Sequence, residues 1–349
     1  MKALVLEQYK QFVYSDVPDP AVGADDVLIR VKACGICGSD IHGIDGSSGR
    51  RIPPLIMGHE AAGVIESMGK SASGWQIGDR VTFDSTVYCG QCWFCRRGEI
   101  NLCENRQVVG VSCPDYRRHG AFAEYVVVPS RILYQLPDNL TFEQGAFVEP
   151  VSIAVHAVER TAVHIGDTAV VVGAGMIGLL VVQALRAAGC GQIIAVDRDA
   201  ARLDLAVQLG ADVGLRSDQL NVAAEIRERT NGRGADVAFE VVGIAPTFKL
   251  AIECVRKGGQ LTLVGNLAPN VDFPLQAVVT REITLNGSCA SQREYTVSLD
   301  LIARGAIKVD PLLSATAPLA DGALWFDRLY RAESGLLKVM LQPENVGHA

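Results

Sequence analysis

Four cysteines, Cys89, Cys92, Cys95 and Cys103, fall within 15 residues in the pattern C-x2-C-x2-C-x7-C. Zinc takes four thiolates in a tetrahedron, and a C-x2-C spacing lets one tight turn put two sulfurs on the same ion. Gly90 and Gly98 supply the freedom such turns need. Four thiolates also suit an iron–sulfur cluster, and spacing alone leaves both metals open. A four-sulfur zinc site has no open coordination position, so its metal would be structural.

A second group is scattered. Cys34 and Cys37 form another C-x2-C, followed at once by Ser39, Asp40 and His42. His59 and Glu60 come next, and Glu149-Pro150 much later. A thiolate, an imidazole and one or two carboxylates would suit a catalytic zinc that keeps an exchangeable water. Taken singly, each residue reads equally as packing, and spacing alone does not unite the three segments.

A third motif is Gly173-Ala174-Gly175-Met176-Ile177-Gly178. It follows an apolar, β-branched run at 168–172 and opens a helical pattern at 176–188, the context a dinucleotide fingerprint requires. The glycines would make the tight turn, admit a pyrophosphate to the backbone and let helix and strand pack closely. The free N–H groups of the helix N-terminus would stabilise its charge. Asp197 ends the next apolar run, where an acid accepts from ribose hydroxyls and repels a 2′-phosphate. NAD is therefore expected over NADP, with Arg198 alongside softening the preference.

The elements that must position these residues change character near residue 150. Before it, short alternating runs at 27–33, 61–69, 78–83 and 120–128 predict an antiparallel, barrel-like β domain. Residues 141–160 have helical periodicity. After it, strands at 168–172, 192–196, 236–242 and 260–264 alternate with helices at 176–188, 200–209 and 246–256. That alternation predicts a parallel sheet covered on both faces. Helices at 295–304 and 319–332 and a strand at 336–341 complete the reading.

The chain has 349 residues, enough for two domains. Its formal net charge of −7 argues against a nucleic-acid binder, which would show a basic face. The longest apolar run, 169–182, is too short to span a bilayer. The N-terminus has no signal-peptide pattern, so a cytoplasmic protein is expected, and there ten cysteines would remain thiols.

Five motifs in order, 35–42, 58–60, 89–103, 148–150 and 173–178, make the whole chain resemble the zinc-containing medium-chain alcohol/polyol dehydrogenases, including sorbitol (iditol), threonine, butanediol and galactitol-phosphate dehydrogenases. The fold implied is α/β, a doubly wound Rossmann parallel sheet inserted in a discontinuous β-rich GroES-like catalytic domain. The expected segments are 1–153 (catalytic), 154–287 (NAD-binding) and 288–349 (catalytic), with crossovers near 151–155 and 286–292.

The resemblance implies two zinc ions per chain. Cys37 and His59 would hold the catalytic one, with Glu60 and Glu149 filling or bordering the remaining positions. The four-cysteine lobe would hold the structural one, and Cys34 lies outside the ligand set. Glu149-Pro150, where ethanol-type enzymes carry a cysteine, points to the polyol/threonine branch. Ser39 and His42 would relay the hydroxyl proton by way of the nicotinamide ribose, and Asp40 would orient the His59 ring. Around the adenosine half, the resemblance places Ile177, Asp197 and Arg202, with Gly173, Gly175 and Gly178 at the pyrophosphate turn. Val264, Gly265, Asn266, Cys289 and Ala290 would lie near the nicotinamide, and Lys338 against the pyrophosphate.

The expected reaction is oxidation of a secondary alcohol (polyol, sugar alcohol or polyol phosphate) to a ketone, with hydride passing to NAD. Sorbitol dehydrogenases carry a tyrosine where this chain has Gly43, and Phe-Arg where it has Cys289-Ala290. Arg50, Arg51, Arg117, Arg118 and Arg293 would either reach a substrate phosphate or remain solvated charge. L-threonine or 2,3-butanediol oxidation is the alternative activity, and a catalytically silent NAD-binding protein the alternative class. The expected partner is a small-molecule alcohol, with neither nucleic acid nor membrane involved. Self-association into a homodimer or homotetramer would pair an edge strand at 282–287.

Overall fold

The computed structural model describes residues 1–343. The chain divides into two compact units, one comprising Met1–Glu149, Tyr295–Ala303 and Val309 onward, the other Pro150–Glu294 and Arg304–Lys308. The first division falls inside the helix Val148–Glu159, a few residues before the expected boundary.

The first unit is β-rich. Its central strand, Asp26–Gly35, alternates buried and half-buried residues along most of its length, as a strand with one face on a core must. It pairs antiparallel with Glu60–Met68, Tyr125–Pro129 and Lys338–Gln342 within a seven-stranded sheet. The register sets Gly35 opposite Glu60 on one side and Met340 on the other. A C-terminal strand thereby reaches the loop that follows Gly35. The hairpin Lys2–Gln8 and Gln11–Asp16, which the patterning did not single out, belongs to a separate three-stranded sheet with Leu55–Ile56.

Two predictions in this unit change in detail. The strand expected at 120–128 is confined to Tyr125–Pro129, because Gly120, Ala121 and Phe122 donate to the carbonyls of Ile56, Gly58 and Met57, at and just after the strand Leu55–Ile56. The helical stretch expected at 141–160 is two helices, Phe142–Ala146 and Val148–Glu159. A reciprocal Thr141/Gln144 cap starts the first, and Pro150 sits in the first turn of the second, where its missing N–H costs nothing.

The second unit holds a six-stranded, all-parallel sheet. Its order is Val213–Arg216, Gln192–Asp197, Thr168–Val172, Ala235–Glu240, Val255–Leu263, Thr284–Gly287. In chain order that is 3-2-1-4-5-6, the doubly wound arrangement that binds dinucleotides where the order reverses. Thr168–Val172 and Ala235–Glu240 are buried at every position, which explains the apolar run of the first, while the second buries Asp236 and Glu240 as well. The short strand Val213–Arg216 and the helices Val222–Arg229 and Leu275–Val279 carried too little apolar periodicity to be singled out. Among the described residues, no helix is long and apolar enough to cross a membrane.

Candidate active site and metal centres

The lobe brings Cys89, Cys92, Cys95 and Cys103 together with their sulfurs within 4.8 Å of one another. Cys89 Sγ and Cys95 Sγ are 4.0 Å apart. Zn–S bonds of about 2.3 Å would set tetrahedral sulfurs roughly 3.8 Å apart, so the group fits zinc. The Cys92 N–H donates to Cys89 Sγ (3.4 Å) and the Cys89 N–H to Cys103 Sγ (3.3 Å). Backbone N–H groups of Gln91 and Cys92 lower the Cys89 thiol to about 6, whereas burial raises Cys95 to about 12. One sulfur is thus ready as a thiolate, and another needs a cation to become one.

The second group is Cys37, His59 and Glu60, again with ligand atoms within 4.8 Å. Cys37 caps the one-turn helix Gly38–Ile41, and its Sγ accepts from the Ser39 N–H (3.5 Å) and Ser39 Oγ (3.3 Å). His59 is buried, and its Nδ1 lies 3.5 Å from Asp40 Oδ1. Burial pushes the ring toward its neutral form, but Asp40 and Cys37 outweigh it and raise the pKa well above the usual histidine value. Glu60 Oε2 accepts from Lys338 Nζ at 2.5 Å, while Glu60 Oε1 is buried without a hydrogen-bond partner. A buried carboxylate with one oxygen unpartnered, grouped with a thiol and an imidazole, fits a cation there.

Asp40 is wholly buried. Burial alone would raise its pKa, yet His59 and Arg51 hold it well below the usual carboxylate range. The expected fourth ligand, Glu149, lies outside the 4.8 Å group and accepts from Ser85 Oγ at 3.4 Å. Its burial raises it to about 7. His42 is exposed at the end of the Gly38–Ile41 turn.

Two buried cations take places the sequence did not reveal. Lys338 is only 2% exposed, and it bonds Glu60 and the Ile36 carbonyl. Its strand pairs with Asp26–Gly35, which carries it to Glu60. Arg51 is neither solvated nor free for a phosphate, since it is 4% exposed and pairs with Asp40 at 2.8 Å. No local signal marks either, because their partners lie 278 and 11 residues away.

In the second unit, the fingerprint lies at the carboxyl end of Thr168–Val172. Gly173 has φ +105°, and a Cβ on Gly178 would stand 1.8 Å from the Gly173 carbonyl, so both must be glycine. A Cβ on Gly175, which caps the helix Met176–Ala187, would meet nothing within 4 Å. That open cradle before a helix N-terminus fits a pyrophosphate. Ile177 lies in the first turn of this helix.

Asp197 accepts from the Ala174 N–H (2.7 Å), the Arg198 N–H (2.7 Å) and the Asp199 N–H (3.0 Å), so it ties the fingerprint turn to its own strand end. A carboxylate has about four acceptor sites, which leaves capacity for a ribose hydroxyl. Arg202 is half-buried, 3.8 Å from Asp199. Val264 and Gly265 donate to the Glu240 carbonyl, with Asn266 next in the chain. Cys289 and Ala290 follow the strand Thr284–Gly287. All these segments leave the carboxyl edge of one sheet, the edge where such sheets bind ligands.

The profile of the alcohol dehydrogenase GroES-like domain matches residues 23–138, and that of the zinc-binding dehydrogenases matches 177–304. The chain is 34% identical to a sorbitol dehydrogenase of Bacillus subtilis, over 98% of this chain and 97% of that protein. It is 34% identical to a D-arabitol-phosphate dehydrogenase of Enterococcus avium, over 96% and 94%. A crystal structure from Sinorhizobium meliloti, described as a zinc-binding dehydrogenase bound to NADP, superposes with a TM-score of 0.90 at 32% identity, covering 98% of this chain and 99% of that one. The chain belongs to the zinc-binding alcohol dehydrogenase family. It is an oxidoreductase.

Proposed function

We propose that this enzyme oxidises a secondary hydroxyl of a polyol, sugar alcohol or polyol phosphate to a ketone, with NAD taking the hydride. The observation that carries the reading is the convergence of half-buried Cys37 with buried His59 and Glu60, with one Glu60 oxygen left without a partner. Cys37, His59 and Glu60 hold a catalytic zinc, Glu149 borders it, and the four-cysteine lobe holds a structural zinc. When bound, the catalytic zinc supplies Lewis-acid polarisation of the substrate hydroxyl, and the dinucleotide supplies the hydride acceptor.

The chain's residues do the rest. Ser39 holds the Cys37 sulfur through two hydrogen bonds, Asp40 Oδ1 faces His59 Nδ1 at 3.5 Å, and Lys338 fixes one oxygen of Glu60. Ser39 Oγ would take the proton leaving the hydroxyl while releasing its own, and exposed His42 would hand a proton to water. Asp197 selects NAD by excluding a 2′-phosphate. None of the ten cysteines is paired in a disulfide, which suits a reducing compartment, the cytoplasm. The edge strand Thr284–Gly287 pairs with a second copy to form a homodimer or homotetramer.

The test is a panel of polyols, polyol phosphates, 2,3-diols and L-threonine, assayed by absorbance of the reduced dinucleotide with NAD and with NADP. The expected result is turnover of a polyol or polyol phosphate, with higher kcat/KM for NAD. Turnover of L-threonine alone, or a preference for NADP, would overturn the corresponding part of the reading.

A further inference from the structure

Among the described residues, Arg51 is the only buried arginine. Its Nε and Nη2 both donate to Asp40 Oδ1, at 3.2 and 2.8 Å. Nη2 also donates to Ser39 Oγ at 3.3 Å, and Nη1 donates to the Arg50 carbonyl at 3.0 Å. Each of the first two partners touches a different metal-binding candidate. Asp40 Oδ1 lies 3.5 Å from His59 Nδ1, and Ser39 Oγ lies 3.3 Å from Cys37 Sγ. One guanidinium therefore stands behind both the imidazole and the thiol.

The place for that guanidinium is opened by a single residue. A Cβ on Gly43 would stand 2.5 Å from Arg51 Cγ, 3.1 Å from the Ser39 carbonyl and 3.2 Å from Ser48 Oγ. Gly43 is not among the residues with positive φ, so the glycine is required for space rather than for conformation. Cγ lies near the base of the arginine side chain and cannot swing clear while the fork stays on Asp40. A side chain at 43 and an arginine fork at 51 exclude one another.

We propose that Gly43 and Arg51 form one device, in which Arg51 is the positioning residue that aims Ser39 and His59 at the metal. This rests on the zinc reading above. By donating to Ser39 Oγ, Arg51 occupies a lone pair and turns the serine O–H toward the metal side, where Cys37 Sγ accepts it here. By gripping Asp40 with two donors, it fixes the carboxylate that meets His59. A lysine keeps the charge but lacks the planar fork that fixes Asp40 and Ser39 in one geometry.

The test uses the zinc-loaded enzyme and three variants, Arg51→Lys, Arg51→Met and Gly43→Ala. Zinc release to a chelator is followed in time, with release from the four-cysteine lobe as the internal control for general unfolding. We expect Arg51→Lys and Gly43→Ala to leave lobe release unchanged and to speed release from the other site about tenfold or more. We expect kcat per catalytic-site zinc to fall by about the same factor with KM little changed. Arg51→Met strands Asp40, and if it fails to fold the other two variants carry the test. Lower melting temperatures with unchanged release and unchanged kcat per zinc would overturn the proposal, because Arg51 would then only neutralise Asp40. The reading it rests on fails differently, as a wild-type enzyme that oxidises no alcohol, and zinc release still decides the role of Arg51 in that event.

Discussion

The two groups of side chains that could hold a metal ion are built on opposite plans. The lobe takes all its ligands from Cys89–Cys103, around a one-turn helix, and relies on its own backbone N–H groups. The Cys37–His59–Glu60 group is gathered by a sheet, and four further buried or partly buried charged residues crowd it: Asp40, Arg51, Lys338 and Glu149. A site that must only hold a metal can be local and electrically simple. A site that must hold a metal and also bind and turn over substrate needs groups held by the fold against their own desolvation cost.

The largest effect that would break this contrast is on the charged shell. Lys338→Met removes the partner of Glu60 in a pair with both side chains at most 2% exposed, which leaves a buried charge uncompensated. Loss of about 3–5 kcal/mol in denaturant unfolding is expected. Burial works against the charge on Lys338, yet Glu60 and Cys37 raise its pKa, so the ammonium is present at neutral pH. The exposed pair Lys2–Asp16 is the control, and Lys2→Met is expected to leave stability unchanged. An equal loss from both variants would erase the distinction between the buried shell and the surface.

A smaller effect lies in the cofactor unit. Asp197→Ser is expected to cut the NAD over NADP ratio of kcat/KM about tenfold, as the loss of one charged hydrogen-bond acceptor implies. An unchanged ratio would leave Asp197 only its bonds to Ala174, Arg198 and Asp199.

An effect of comparable size calibrates buried charge away from these groups. Burial would raise the pKa of Asp236, but the Thr168 N–H and Arg256 outweigh it and lower the pKa below its ordinary value. A depressed folded-state pKa adds stability above the unfolded-state value of about 3.9, and that stability is lost as pH falls through the folded-state value. Asp236→Asn should therefore cost about 1–3 kcal/mol at pH 7 and less in strong acid. A cost independent of pH would show that packing, not charge, is what Asp236 supplies.

The same contrast governs what the sequence reveals. The lobe was legible because its four ligands share one short segment. The fingerprint was legible because Thr168–Val172, Gly173 and Met176–Ala187 are contiguous and buried in a recognisable order. Cys37, His59 and Glu60 were legible only through family resemblance, since their types do not unite them. Lys338 and Arg51 were not legible as partners of Glu60 and Asp40. Strand pairing brings the first to its partner, and the second depends on the space left by a glycine at 43. Pairing between distant segments is what single-sequence patterning misses, and this site is made of it.

The most direct test of two zinc sites built on different plans is metal analysis of Cys37→Ser beside Cys95→Ser. Wild type should carry two zinc ions per chain. Cys37→Ser should carry one, with an intact fold and no turnover. Cys95→Ser should also lose one, but as a structural defect that lowers thermal stability. Full turnover by Cys37→Ser, or two zinc ions still bound to it, would contradict the account.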